Sequence, residues 1–413
     1  MKNPLLKTLV SLRGNPRICV YTEPLWGLSM NLCLPYASVF MLALGLDDLR
    51  VGIVASIYMF SQMIFAFLSG IITDKLGRRT ATAVFDFFSW SVPCLIWAFA
   101  EGFWFFAVAA LLNGMMKIPT VSWDCLLVED AEPSKITQIY SWIVICGNLS
   151  ALFAPISSLL VSRMTLVPAI RILYINAAIV MTIKLLILFK FSKETKTGEV
   201  RRAATRGVPM RKLMGDYGGV VRQILKSRGT MFAIIVSVLV EIVMMINLTF
   251  WQIIASRKIG IPDTMLPIFP MVRSILAIIL FFTIIGRIKQ SKLKNPLLLG
   301  FFSFIAGQIV LISVPGGYLG YGLLVVSLLF ESLGGAVLST LRESLVAIHV
   351  DSAERSRVLA VLQTAVMMVS VPFGYIGGWL SSMSKVLPFV MNIALLLVGV
   401  VATLRFFRKA DRA

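Results

Sequence analysis

Histidine is almost missing from this 413-residue chain: His349 stands alone, and one imidazole cannot assemble a histidine metal site. The five cysteines, Cys19, Cys33, Cys94, Cys125 and Cys146, lie within or at the ends of apolar segments and form no CxxC pair. That spacing predicts neither a disulfide nor a structural metal. Charge is scarce too, at 14% of residues, where a soluble domain carries roughly a quarter. No GxxxxGK[ST] loop is present, so ATP held in a phosphate cradle of that kind is excluded as an energy source. With no catalytic triad, metal cluster or cofactor fingerprint, the chain is read as a non-enzyme that needs no cofactor. No small-residue cleavage site follows the first apolar run, so that run is expected to stay in the protein.

What is present is hydrophobic. Apolar residues make up 58% of the chain and fall into long runs separated by short polar breaks. A helix that crosses a bilayer needs about 20 largely apolar residues. Windows of that kind lie at 18–44, 51–73, 80–100, 103–127, 136–161, 167–191, 230–256, 264–286, 293–314, 318–346, 357–383 and 386–407. Several contain proline (Pro24, Pro35, Pro119, Pro155 and Pro372), which spanning helices tolerate because neighbours re-satisfy the freed carbonyls.

The formal charge of +19 raises the question of nucleic acid, but a nucleic-acid binder gathers its charge on one exposed face. Here the cations sit in the loops: Lys2, Lys7, Arg13 and Arg17 at the start, Lys75, Arg78 and Arg79 in the second loop, a dense run within 192–229, and Arg287, Lys289, Lys292 and Lys294 in the eighth. These share one side if both termini are cytoplasmic, as the positive-inside rule requires. Arg163, Arg171, Arg257 and Lys258 weaken the contrast without reversing it. The expectation is a multi-pass protein of the cytoplasmic (inner) membrane, monomeric, with membrane lipids and no nucleic acid as partners.

The organisation follows: a six-helix bundle over 1–191, a basic cytoplasmic linker over 192–229, and a second six-helix bundle over 230–413. The linker is rich in glycine and is expected to hold a short amphipathic helix on anionic headgroups. A shift of roughly 218 residues brings Glu23 onto Glu241, Asp124 next to Glu343, and Pro155 next to Pro372, as expected of a chain built from two related bundles.

One loop is sharper than the rest: Gly70-Ile71-Ile72-Thr73-Asp74-Lys75-Leu76-Gly77-Arg78-Arg79. It resembles the loop between helices two and three of the major facilitator superfamily: Gly, three residues, Asp, a basic residue, one residue, Gly, two basic residues. The resemblance implies an all-α membrane protein of twelve transmembrane helices in two pseudo-symmetric six-helix bundles, with both termini cytoplasmic. It also implies a gate, in which Gly70 admits a close helix, Gly77 makes a tight turn, Asp74 meets a helix N-terminus of the other bundle, and Arg78 and Arg79 supply charge and salt bridges. The corresponding segment of the second half, 286–292, has lost the aspartate and the second glycine. Ser150, Ala154, Pro155 and Ser158 loosely resemble the family's antiporter motif. The family's helix-four arginine is missing, with Lys117 the nearby basic residue, and the sugar-porter signature loops are absent.

Ionisable residues inside spans are costly and face a bundle interior or a cavity. Glu23 and Asn31 share one helical face with Met30, and Glu241, Met245, Leu248 and Gln252 share another. Asn113, Lys117 and Asp124 align on helix four, and Glu331 with Arg342 on helix ten. In the resembling family, helices one, four, seven and ten line the central cavity, which implies a substrate and proton site of Glu23, Trp26, Asn31, Asn113, Lys117, Asp124, Glu241, Gln252, Arg273 and Glu331. Arg273 either pairs with an acid or binds an anionic group. Asp86 and Lys184 fall on scaffold helices, where Lys184 is expected to snorkel to the interface. The function these features imply is proton-coupled secondary transport of a small organic solute. Acids without a dominant basic cluster favour export of neutral or cationic drug-like compounds. Uptake of a nutrient by symport and lipid flipping are the alternatives.

Overall fold

The computed structural model describes residues 9–132, 135–213, 227–283, 293–315, 318–349 and 355–410, and all secondary structure among them is helical. Among the described residues twelve helices are long and apolar enough to cross a membrane: Gly14–Ala43, Asp48–Leu76, Arg78–Ala98, Phe103–Val128, Gln138–Met164 and Leu166–Phe191, then Arg228–Ile259, Asp263–Leu280, Lys294–Ser313, Gly320–Arg342, Val361–Met383 and Leu387–Arg408. We number these spans one to twelve. The loop at 286–292 lies outside the described residues.

The spans are not uniform helices, and the departures have causes in the sequence. Pro155 has no N–H and crowds the carbonyl four residues back. Span five accordingly retreats to three-residue spacing, with Leu152, Phe153 and Ala154 donating to Leu149, Ser150 and Ala151. Span four tightens over Gly114–Met116, just before Pro119, and Ser61 Oγ donates to the Leu111 carbonyl there at 2.6 Å.

The chain forms two compact units, Met1–Leu34 with Ile57–Gly215, and Pro35–Ser56 with Asp216–Ala413. The second unit thus takes in the hairpin 35–56, which the sequence reading kept with the first six spans. In the first unit, Cys19, Val20, Leu126, Leu127, Ile139 and Leu188 form a buried core. In the second, Phe232, Phe301, Phe304, Leu338 and Leu341 do so, and Phe232 stacks on Phe406 with centroids 4.2 Å apart. Large apolar side chains also cover the outside: Trp104 is 76% exposed and Leu159 65%, as a lipid-facing surface requires.

Small residues let backbones approach. A Cβ on Gly27 would fall 2.8 Å from Ser150 Cβ, and one on Gly334 2.7 Å from the Phe304 nitrogen. In the second unit, a Cβ on Gly378 would meet backbone atoms of Asp48, Gly52 and Leu49 at 2.7–3.0 Å. Beside that crossing, Tyr375 N–H donates to Ser56 Oγ at 2.8 Å, and the hydroxyl donates to the Val371 carbonyl at 2.7 Å. These are the two backbone groups that an unbroken helix would pair, so Ser56 stands in for one turn of span eleven. At the end of the hairpin, buried Asp48 accepts from Lys385 Nζ at 2.6 Å and from Ser381 Oγ.

Candidate functional site

In the first unit three charged side chains converge. Lys184 Nζ donates to Glu23 Oε2 at 3.3 Å, with side chains 6% and 14% exposed. Asp86 of span three is buried and within electrostatic reach of both. This corrects the expectation for Lys184: it turns inward instead of snorkelling, because Glu23 and Asp86 offer a counter-charge that apolar surroundings cannot. Trp123 lies with its ring 5.9 Å from Lys184 Nζ, and Trp26 packs edge-on against Trp90 at 5.5 Å. The Trp123 indole N–H is buried with no acceptor among the described residues.

The other expected residues of this unit have more local employment. Asn31 Nδ2 donates to the Gly27 carbonyl at 2.7 Å within its own helix. Asn113 is buried and donates to the Ser89 carbonyl at 2.6 Å, where span three widens into a π turn over Phe87–Ser91. Asp124 accepts from Tyr140 Oη at 2.7 Å, and Lys117 is half-buried at the head of the helix that follows the tightened turn of span four. Met30, which shares the Glu23–Asn31 face by spacing, is only 2% exposed. That face is packed at Met30 and is not wet along its length.

The second unit holds a denser network. Glu331 accepts from Arg273 Nη2 at 2.8 Å on one oxygen and from Gln308 Nε2 at 2.6 Å on the other. Gln308 in turn donates to Asn247 Oδ1 and accepts from Asn392 Nδ2, each at 3.2 Å. Gly307 leaves room for the acid, since a Cβ there would sit 2.8 Å from Glu331 Cγ. Arg273 also lies over the ring of Trp251 at 4.8 Å. Gln252, next to that tryptophan, is buried, and its Oε1 has no donor among the described residues. Glu241 pairs with Arg342 at 3.0 Å, so the Glu331–Arg342 alignment read from spacing resolves into two separate pairs. A cavity of about 400 Å³ opens beside Arg273 and Glu331, walled by Met244, Leu248, Phe304 and Gly335.

The loop at 70–79 is a third polar centre, within the first unit. Gly77 has φ +85°, a left-handed turn that favours glycine. Arg78 Nη1 donates to Asp74 at 2.7 Å, and its Nε and Nη2 donate to Glu129 at 3.1–3.2 Å. The backbone N–H groups of Arg78 and Arg79, which open span three, donate to the two oxygens of Glu194 at 2.9 and 3.2 Å. A carboxylate is favoured at that helix end. Arg79 donates to the Phe189 carbonyl at 2.9 Å through Nε. The linker does form a helix, Lys196–Thr205, capped by Thr195, whose hydroxyl also donates to Glu129. Thr205 Oγ1 returns to the Asp74 carbonyl at 3.2 Å. A Cβ on Gly70 would meet nothing within 4 Å among the described residues. Where the reading gave Arg78 and Arg79 to inter-bundle bridges, these bonds hold both inside the first unit.

The sequence pattern points to the acids and to Arg273 as a partner for one of them, but not to Lys184 on Glu23 or Gln308 on Glu331. Gln308 and Asn392 were visible as polar residues in apolar runs, yet nothing local shows that they meet. Glu194 and Thr195 lie in the linker, whose charge, glycines and expected short helix say nothing of contacts with span three or Glu129.

A family profile described as Major Facilitator Superfamily matches residues 25–330. Among solved structures, the nucleoside transporter NupG is similar at a TM-score of 0.70 and 15% identity, over 96% of this chain and 99% of that one. The peptide transporter POT in complex with sulfate gives 0.68 and 16%, over 100% and 99%. The human organic anion transporter MFSD10 gives 0.64 and 17%, over 97% and 100%. Among curated proteins, none matches the chain. At these identities the likeness establishes the fold.

Proposed function

This chain belongs to the Major Facilitator Superfamily, and from that premise we propose that it is a proton-coupled transporter that exports a small organic solute across the cytoplasmic membrane by alternating access. The reading takes both termini as cytoplasmic and the protein as a monomer in lipid. The cluster of Glu23, Asp86 and Lys184 carries it. Two carboxylates and one ammonium hold a net charge of −1 when all are ionised, and uptake of one proton makes the cluster neutral. In apolar surroundings a cluster with a net charge is costlier than a neutral one. The cluster therefore has the capacity for one proton, and Lys184 remains paired with whichever carboxylate stays ionised. Outward movement rests on the resemblance of Ser150–Ser158 to the antiporter motif.

The charge of the solute needs revision. The preference for neutral or cationic compounds rests on acids without a dominant basic cluster, whereas Glu23, Glu241 and Glu331 each have a basic partner. That assumption no longer supports the preference.

The test uses proteoliposomes with a pH-sensitive dye inside, and a compound selected by its stabilisation of the purified protein. Adding the compound should move protons with the wild type and fail to do so with Glu23→Gln. If the Glu23→Gln/Asp86→Asn double variant still couples solute to protons, this cluster is not the coupling site. Under an imposed pH gradient an antiporter accumulates the compound on the acid side, as export requires, whereas accumulation on the alkaline side would mark a symporter and overturn the assigned direction. A second expectation concerns the loop: Asp74→Asn should insert normally and transport more slowly, and unchanged kinetics would remove Asp74 from the gate.

A further inference from the structure

We infer that the cavity beside Arg273 is a binding site for the carboxylate of an amphiphilic solute, a small monoanion with an apolar body. This names a substrate class for the transport reading and rests on it.

The argument starts from spare hydrogen-bonding capacity. A guanidinium carries five N–H donors. Among the described residues Arg273 donates one hydrogen bond, from Nη2 to Glu331. Its side chain is 31% exposed, whereas that of Glu331 is 3% exposed. The acid is therefore spent and enclosed: both oxygens are occupied, one by Arg273 and one by Gln308, and Gly307 packs against its stem. The arginine is anchored on one edge by that acid and on one face by Trp251. Trp251 is itself fixed, 1% exposed and 4.8 Å from the ring of Phe269. What remains free to act is the edge of the guanidinium turned to the cavity.

A second observation points to a ligand at the same place. Ser332, one residue beyond Glu331, lines this cavity, and its hydroxyl is buried with no partner among the described residues. Buried hydroxyls are almost always paired, so an unpaired one in a cavity wall is a vacant hydrogen bond. A fixed guanidinium edge and a hydroxyl donor match the two oxygens of a carboxylate, the group with which arginine forms its strongest forked bonds. A protonated amine offers only donors and a positive charge, which the Arg273 edge repels.

The rest of the wall sets the body of the solute. Met244, Leu248 and Phe304 are apolar, and Gly335, Ala336 and Ala277 keep the space open. A volume of about 400 Å³ lies at the small end of ligand sites. It suits one ring or a short chain. One arginine whose charge Glu331 already offsets gives no support for a dianion such as a phosphate monoester.

Three probes with the same body separate the possibilities: 3-phenylpropionate, 3-phenylpropanamide and 3-phenylpropylamine. Thermal unfolding of the purified full chain is followed against concentration of each. The carboxylate should raise the midpoint in a saturable way, with the amide at least about tenfold weaker, the ratio that one charge-assisted bond supplies, and the amine without effect. Arg273→Gln should abolish the response. Because that change leaves Glu331 enclosed without its cation and risks misfolding, Ala336→Phe provides a second variant, which fills the cavity and leaves Arg273 and Glu331 in place. It too should lose the response to the carboxylate. The proposal is overturned if the amide or amine stabilises as strongly as the carboxylate, or if the carboxylate still binds to Ala336→Phe. Unfolding reads binding alone, so failure here leaves the dye-loaded vesicles to judge transport separately: loss of proton movement there with carboxylate binding intact would sink the coupling and spare the site.

Discussion

Arg78→Ala should lower stability by about 3–5 kcal/mol, the range for removing one partner of a buried ion pair. The guanidinium is 6% exposed and holds two carboxylates, Asp74 and Glu129, at 2.7–3.2 Å. Without it, Glu129 keeps the Thr195 hydroxyl and the weak donor of the Cys125 thiol, and Asp74, Glu129 and Glu194 are left as three neighbouring negative charges. Most of the loss comes from Glu129, which is 16% exposed. Asp74 is 31% exposed, and solvent screens its share. The damage should spread to the linker, because the helix Lys196–Thr205 is held by Thr195 and by Thr205 on Asp74. Arg78→Lys should recover less than half, since an ammonium cannot fork between two acids. Denaturant unfolding in mild detergent measures the loss, and limited proteolysis between residues 195 and 213 reads release of the linker helix. A variant that unfolds with the wild type and keeps its linker protected would show that Arg78 is replaceable by water.

Gly378→Val should separate the hairpin 35–56 from span eleven. The new side chain would begin 2.7–3.0 Å from backbone atoms of Asp48, Leu49 and Gly52, and backbone cannot rotate away as a side chain can. Overpacking of this kind costs about 1–3 kcal/mol. The buried pair of Asp48 with Lys385 and the insertion of Ser56 into span eleven depend on the same approach, so the loss should reach the upper end or pass it. Transport should fail with it, since the second unit would lose the packing of the hairpin on span eleven. Gly322→Val is the matched control, because a Cβ at Gly322 meets nothing within 4 Å among the described residues. Equal melting temperatures and transport for the two variants would show that the tight crossing at Gly378 has no consequence.

These two variants sit on opposite sides of what could be read in advance. Arg78 was readable because its neighbours in sequence, Gly70 to Arg79, form a pattern that a short loop must satisfy by itself. Gly378 was not, because its constraint comes from Asp48 and Gly52, more than 300 positions away along the chain. The same holds inside the spans. Pro155 announces a disturbed helix through its own missing N–H, whereas Ser56 mends a turn of span eleven from a different helix. Glu23 was recognisable as a costly charge in an apolar run, but Lys184 was assigned to the interface because a lysine in a helix has two low-cost outcomes: it reaches water or it finds an anion. Only the packing of span six on span one decides between them.

The sequence by itself determined the number of spans, the family and the residues too polar to be casual, because a bilayer imposes its demand for apolar length segment by segment. The tertiary structure alone decided which charge neutralises which, where the hairpin 35–56 belongs and where a cavity remains. Those outcomes depend on distances between segments far apart in sequence, and electrostatic and contact energies depend on distance in space, of which order along the chain carries no record.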